Sequence, residues 1–449
     1  MTARRLRGVP CARRGAGSLP ALALALVRHP AMPTFLHAAD LHLDSPLRGL
    51  HARDAEVGAQ VRNATRQAFR ALVDRAISDQ VRFVVLAGDL FDDTHQSVDT
   101  ALFLNSELKR LVDRTVGVFL LRGNHDHLAR PSAVLLPKGV FQFGSAEATT
   151  ETRPDLGVAL HGQSFGEQRI DIDLTDGYPI PVPGLLNIGV LHTALEGRSG
   201  VHQRYAPTSA GKLGTRGYDY WALGHVHTRD VFREGQTHIA YPGNVQGRHI
   251  NEAGPKGALL VDWEGTTITA VRPFETAVLR WQEVVVDVVA AEGQDDQLRY
   301  VAEAVADATR EARGAGRIAA VRVRIRGAGA AIGQLSRDQL RGYLRQAVAM
   351  SCGENVLLEE VRLEALARVE LPGSLHEPIE RLAVRLLAPD ARREDALFAR
   401  EIWEKVNAAC GREVAAEVWE RLGVGDVEGL RQLLLARGRE RLLAHLADT

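Results

Sequence analysis

The sequence predicts an α/β protein in which two β-sheets pack face to face with helices outside, followed by a smaller strand–helix unit and a helical C-terminal region. Three observations carry this. Short apolar runs alternate with amphipathic helices between residues 34 and 121. Strands then crowd together from about 139 to 271. A strand–helix–strand–helix–strand order returns between 282 and 366.

The apolar run at 34–40 reads as the first strand. Asn63 stands where it can cap a helix reaching about Gln80, because Phe69, Leu72, Val73, Ala76 and Ile77 recur at helical spacing. Residues 81–87 are apolar throughout, as in a strand buried on both faces. A second amphipathic helix covers 97–114 and a third strand 115–121. Strands follow at 158–161, 186–192, 221–223, 239–241, 258–261 and 266–271, separated by Gly, Pro and Asn. The next unit reads strand 282–289, helix 295–313, strand 317–326, helix 336–350 and strand 355–366. Pro372-Gly373 marks a linker, and 376–449, rich in Ala, Leu, Glu and Arg, is helical in character. The expected domains are therefore 32–275, 281–368 and 376–449, after an N-terminal stretch at 1–31.

Apolar residues make up 45% of the chain and charged residues 25%, values of a globular protein rather than a membrane or disordered one. The longest strongly apolar run, 19–27, is broken by Pro20 and is too short to span a bilayer, so no membrane partner is expected. Net charge is −1, but residues 1–31 carry six arginines and no acid, which leaves the remainder at roughly −7. A nucleic-acid partner would thus need a local basic patch. Cys11, Cys352 and Cys410 have no paired spacing, which argues against a disulfide framework or a Cys-based zinc site and suits a reducing cytoplasm. The Arg-rich start and the Leu/Ala run after it imitate an export signal, but they end in Arg28-His29-Pro30 rather than a small-residue cleavage site. Met32 is the expected start, with 1–31 a non-native or disordered extension.

Metal-capable side chains gather at five predicted strand ends: Asp40-Leu41-His42, Gly88-Asp89-Leu90-Phe91-Asp92, Gly123-Asn124-His125-Asp126, His192, and Gly224-His225-Val226-His227. Asp-x-His and His-x-His each put two ligands on one side of a chain leaving a strand, because side chains alternate with period two. Glycines at 88, 123 and 224 permit tight turns and close backbone approach to an anion. Carboxylate, amide oxygen and imidazole together suit divalent Mn, Fe or Zn. Two such ions, about 3.5–4 Å apart, need a bridging ligand such as an Asp carboxylate, and together they clamp a phosphate through in-line displacement. One Asp-x-His alone is more often a surface pair. Five elements in this order, each at a strand end, describe a site.

This ordered set resembles the signature of the calcineurin-like metallophosphoesterases over about residues 34–275. The resemblance implies a four-layer α/β/β/α metallophosphoesterase sandwich. It also implies that Asp40, His42, Asp89 and His227 hold one metal while Asp89, Asn124, His192 and His225 hold the other, Asp89 bridging. His125 matches the family's general acid, which protonates the leaving oxygen, a role an imidazole suits near neutral pH. Asp126 either fixes the His125 tautomer or is a structural turn acid.

Two further stretches, His42-Leu-Asp-Ser-Pro-Leu-Arg-Gly-Leu50 and Tyr241-Pro-Gly-Asn-Val-Gln-Gly-Arg-His249, are similar to the YhaO-like branch of the SbcD-type DNA repair exonucleases. Asp92 stands where archaeal and eukaryotic relatives often carry His, which leaves cleavage polarity open. The unit at 281–368 resembles the α+β capping domain that guides DNA in those nucleases. Within it Val321, Val323 and Ile325 would face the core, while Arg322, Arg324 and Arg326 line an exposed face, as candidate DNA contacts or as a solvated strand face. Helices after the cap dock on an SbcC-type coiled-coil ATPase in such nucleases. Trp403, Trp419 and Leu422 are candidate anchors here, or pack within their own helices. No Gly-x4-Gly-Lys-Ser/Thr motif occurs, so ATP dependence would need a partner. Arg48, Tyr241, Asn244 and Arg248 are candidate cleft residues, and the remaining histidines, His37 and His161 among them, read as structural or surface groups. The expected activity is Mn2+-dependent, two-metal hydrolysis of DNA by an exonuclease of DNA repair. A phosphatase or nucleotidase for a small phosphoester shares the core, and a non-catalytic scaffold would commonly lack ligands that are present here. Oligomeric state is left open, a homodimer included.

Overall fold

The structure, a computed structural model, describes residues 32–50, 63–92, 97–126, 136–197, 205–288, 293–326, 335–353 and 355–364, with a few single positions beyond. The N-terminal stretch, the 372–373 linker and nearly all of the helical tail, Trp419 and Leu422 included, lie outside the described residues.

The first half builds a sheet and its helical cover. Strands β1 (Thr34–Ala38), β2 (Phe83–Ala87), β3 (Gly117–Leu121) and β4 (Val140–Gln142) run parallel. Two antiparallel strands, β11 (Gly257–Glu264) and β12 (Thr267–Glu275), complete it beside β1. Between the parallel strands run helices α1 (Ala64–Ser78) and α2 (Val98–Val112). Ser97 caps α2 by accepting the Thr100 amide, and Lys109 and Arg110 in the last turn complement its negative end. Asn63 does occupy the N-cap position of α1, but its side chain makes no capping bond. That helix is held instead by burying Ala68, Phe69, Leu72, Val73 and Ala76 against the sheet.

The second sheet has the order β5-β6-β7-β8-β10-β9. Its strands are β5 (Thr149–Arg153), β6 (Val158–Gly162), β7 (Leu186–His192), β8 (Tyr220–Gly224), β9 (Asp230–Glu234) and β10 (Thr237–Tyr241). Strands β6, β7, β8 and β10 are parallel. Period two sorts the side chains. Phe35, Phe83, Val85 and Phe119 meet Leu160, Ile188, Val190 and Tyr220 between the sheets, while Val84, Leu86 and Leu120 face the helices. Phe35 stacks on Phe83 with ring centroids 4.9 Å apart, and truncating either to Ala should cost about 3–5 kcal/mol. Outside the second sheet lie the short helix α3 (Ala210–Thr215) and the loop carrying Phe165, Leu174 and Tyr178. The predicted α/β/β/α layering is thus present, with a thin outer layer on this side.

Strand β13 (Leu279–Asp287) begins the next unit directly after β12. With α4 (Gln294–Gly314), β14 (Ile318–Arg326), α5 (Arg337–Cys352) and β15 (Val356–Glu364) it forms a parallel β-α-β-α-β layer. Both helices cover one face of the sheet, the outcome of two crossovers of one hand. The other face meets the first domain at one end, where Leu47, Ala64, Leu279, Trp281 and Ala320 pack together.

Candidate metal centre

Strands β1, β2 and β3 of one sheet and β7 and β8 of the other all leave their sheets at the same rim, and all five predicted motifs follow those strand ends. The backbone there is tightly interlocked. Asp40 N donates to Gly88 O and His42 N to Asp89 O, both at 3.0 Å, and His225 N donates to the Asp40 carboxylate at 3.0 Å. Asp40, His42, Asp89 and His225 all take positive φ (52°, 41°, 51° and 98°), a conformation that costs a non-glycine residue on the order of 1–3 kcal/mol and persists only where its surroundings impose it. All three predicted glycines are needed for room, and a Cβ at Gly88 would sit 2.5 Å from His192 Nδ1. A Cβ at Gly123 would collide with the Asp89 carboxylate and one at Gly224 with the Ala87 carbonyl. Their clearance therefore admits ligands and the facing strand.

The seven predicted ligands converge. Ligand atoms of Asp40, His42 and His227 lie within 4.8 Å of one another, and so do those of Asp89, His192 and His225. Asp89 joins the two groups: its Oδ2 is 3.3 Å from His192 Nε2 and 3.7 Å from His42 Nε2. Asn124 Oδ1 stands 3.0 Å from His192 Nε2. The His192 Nδ1–H donates to Ala87 O at 2.9 Å, which turns Nε2 toward Asp89 and Asn124. His42 and His227 bring their Nε2 atoms to 3.2 Å of each other.

The electrostatics ask for cations. Burial, with the neighbouring Asp89 charge, pushes Asp40 up to about 7, although His192 opposes the shift. Burial also opposes ionisation of Asp89, yet His192 and His42 beside it hold its carboxyl well below the usual range. Burial disfavours charge on His192, but Asp89 raises it to about 9. Two buried carboxylates, four imidazoles and an amide oxygen around one rim form a donor set that fits two divalent ions.

His125 is half-buried above this set, with its ring centroid 4.9 Å from that of His42 and its ligand atom grouped with those of His42 and Asp89. Its amide donates to Asp89 Oδ1 at 3.0 Å. Asp126 does not serve the His125 tautomer. Its carboxylate accepts the amides of Leu90 (3.1 Å), Phe91 (2.9 Å) and Gly123 (2.9 Å), so it is the structural turn acid that binds the 88–92 loop to the 123–126 turn.

A residue that sequence reading passed over completes the centre. Glu252, in a 3-10 turn at Ile250–Glu252, accepts His227 Nδ1–H at 2.7 Å and Asn244 Nδ2–H at 2.8 Å. Burial opposes its charge, but the His227 bond and the Arg248 guanidinium hold its carboxyl far below the usual range. Of the four cleft candidates, Arg248 reaches the centre, 3.2 Å from Glu252 and 3.6 Å from Asp92. Arg48 is exposed, and Asn244 is buried behind Glu252. Tyr241 is structural: its hydroxyl is buried, donating to Thr193 O.

The arginine ladder differs from its expectation. Arg322, Arg324 and Arg326 do alternate with buried Val321, Val323 and Ile325. Yet Arg322 makes a two-bond contact with Glu359, and Arg324 and Arg326 both bond Glu364. Carboxylates from β15 neutralise the row, so it is not a free cationic track.

Comparison with known proteins agrees with this geometry. Residues 33–229 match the calcineurin-like phosphoesterase family, and residues 281–366 match the middle domain of metallophosphoesterase YhaO. The chain is 36% identical over 262 residues to the uncharacterized metallophosphoesterase YhaO of Bacillus subtilis, covering 58% of this chain and 64% of that one. It is 25% identical over 297 residues to the DNA double-strand break repair protein Mre11 of Methanopyrus kandleri (59% and 61% covered). It is 26% identical over 252 residues to the Mre11 of Sulfurisphaera tokodaii (51% and 59%). In each case the match spans less than two thirds of the relative. No helix among the described residues is long and apolar enough to cross a membrane.

Proposed function

We propose, for a chain that carries a calcineurin-like metallophosphoesterase domain followed by a YhaO-type middle domain, that it is a metal-dependent DNA nuclease hydrolysing phosphodiester bonds. The observation that carries this is the completeness of the rim: every ligand of a dinuclear centre, and a histidine above it, come together beside a second unit packed on the same domain. The likeness to proteins named for DNA double-strand break repair favours DNA as the substrate.

Asp40, His42, Asp89 and His227 would hold one ion, and Asp89, Asn124, His192 and His225 the other. Manganese is our choice among the metals this set accepts. When bound, the pair polarises the phosphate and offsets the charge of in-line displacement. The protein's own groups do the rest. Interlocked strand ends fix the ligands before substrate arrives, and Ala87 and Glu252 orient His192 and His227. His125 stands where it can give a proton to the leaving oxygen. Arg248, at the rim, is paired with Glu252 and Asp92 and helps to hold the Glu252 carboxylate against His227.

A small phosphoester is the second reading, and the neutralised arginine row favours it, because that row was the one basic feature expected to follow a DNA backbone. The deciding assay compares linear, overhanging and hairpin DNA with a panel of nucleotides, in Mn2+. We expect DNA cleavage that Asp89→Ala abolishes and His125→Ala lowers by about 100-fold or more. Turnover of nucleotides with intact DNA would overturn the nuclease reading. Folded variants with full activity would overturn the mechanism. Docking on an SbcC-type ATPase, a cytoplasmic setting and homodimerisation remain parts of the same proposal, testable by co-purification and sedimentation.

A further inference from the structure

His227 is held at two places. Its Nδ1–H donates to Glu252, and its carbonyl accepts the buried Lys256 ammonium at 2.7 Å. Both partners belong to the stretch that follows β10, and that stretch is fastened to the 279–364 unit. The buried Gln246 side chain accepts the Val278 and Leu279 amides (3.0 and 3.3 Å) and donates to Leu279 O at 2.7 Å. The Trp281 indole N–H donates to Gly247 O at 2.8 Å, and Gly254 N donates to Trp281 O at 3.0 Å. Trp281 is wholly buried. At Gly247 the fit leaves no space, since a Cβ would sit 2.7 Å from Glu252 O and 2.9 Å from the Trp281 ring. The indole, the Gly247 backbone and the Glu252 turn are therefore in direct contact, and the Glu252 carboxylate forms the last link to the ligand.

We infer that the docking of the 279–364 unit sets the protein's grip on one of the two metal ions, through Trp281, the 246–252 loop, and Glu252 as the positioning residue for His227. The inference rests on the dinuclear reading of the centre and not on the choice of DNA as substrate. The charge and direction of Glu252 hold His227 in the tautomer whose Nε2 lone pair faces Asp40 and His42. Shifting the loop by a fraction of an ångström misaims that lone pair. The second cluster is exempt, because His192 is oriented by Ala87 O and Asn124 lies on the far loop.

The experiment is calorimetric titration of the metal-stripped full-length chain with Mn2+, with thermal melting as the check on folding. We expect two binding events in the natural sequence. Glu252→Gln should weaken one event by roughly 10–100-fold and spare the other. Trp281→Phe, which keeps the ring and loses the N–H, should weaken the same event to a smaller extent. Glu252→Gln placed on His227→Ala should add nothing further. If Trp281→Phe does not fold, Gln246→Met cuts the same fastening. Unchanged affinity in either the Glu252 or the fastening variant overturns the inference, and so does equal weakening of both events. A natural chain that takes up no divalent ion overturns the metal reading as well. Two bound ions with no DNA cleavage would sink only the nuclease assignment.

Discussion

At the Asp126 carboxylate, three amides from two loops, two of the bonds fully buried, share two oxygens. Each amide, left without an acceptor, costs about 1–3 kcal/mol. Asp126→Ala should therefore destabilise the protein by about 3 kcal/mol or more, read by urea unfolding in chelator. It should also weaken both metal-binding events, because Asp89 and Asn124 lie on the two loops it joins. A variant of ordinary stability would show that water replaces the carboxylate without loss. His125 belongs to the same turn but to a different task. The two neighbours illustrate why a motif names residues more readily than roles: Asn-His-Asp places all three side chains within one turn, and only the folded loops decide which one faces the metals and which faces the backbone.

Among the elements, β14 makes the sharpest case. Its period-two pattern was legible because alternation needs no knowledge of partners. What neutralises it was not, since Glu359 and Glu364 oppose the arginines only through the register of β15, across a register shift between Val321 and Arg322. Burial then grades the row. Arg322 and Glu359 are largely buried, with Glu359 packed under Gly49 of the first domain, whereas Arg324 and Glu364 are only half-buried. Removing one partner of a buried pair strands the other, so Glu359→Ala should cost about 2 kcal/mol, discounted for Arg322's partial exposure and its second contact with Glu360. Arg324→Ala should leave the melting temperature unchanged. Equal losses in both variants would refute the gradient. The same logic explains which strands could be read in advance. β7 is apolar at every position but Asn187, Gly189 and His192 because both its faces are covered, and it emerged to the residue. β5 and β9, TTETR and DVFRE at the sheet margins, carry little apolar signal and were missed. The candidate ligand cluster was legible because each part is local to a strand end. Glu252 was not, for it lies in no motif and reaches His227 only through a folded turn.

Across the whole molecule, the two sheets are joined mainly by apolar packing, and His37 adds a buried polar tie between them. His37, in β1, donates Nε2–H to Leu223 O at 3.1 Å and accepts the Tyr220 hydroxyl on Nδ1 at 3.0 Å, both partners lying on β8 of the other sheet. That pairing fixes the neutral tautomer, and burial drives the group's pKa from 6.5 down to about 3, although the Leu223 bond opposes it. The unfolded chain keeps a value near 6.5, so between about pH 6.5 and 3 it binds a proton that the folded chain refuses. The contribution to stability is therefore complete above about 6.5 and declines as the pH falls, by about 1.4 kcal/mol per unit for this one group. Urea unfolding of the metal-stripped protein at several pH values between 7.5 and 4 should show this slope. His37→Gln, which can still donate to Leu223 O and accept from Tyr220 but does not titrate, should be less stable at pH 7.5 and flatter in its acid dependence by about one proton's worth. The carboxylates and other histidines titrate alike in both proteins, so the difference between the two curves isolates His37. Parallel curves would mean that the imidazole can charge in place, with water entering between the sheets, and that the tie is looser than its two hydrogen bonds imply.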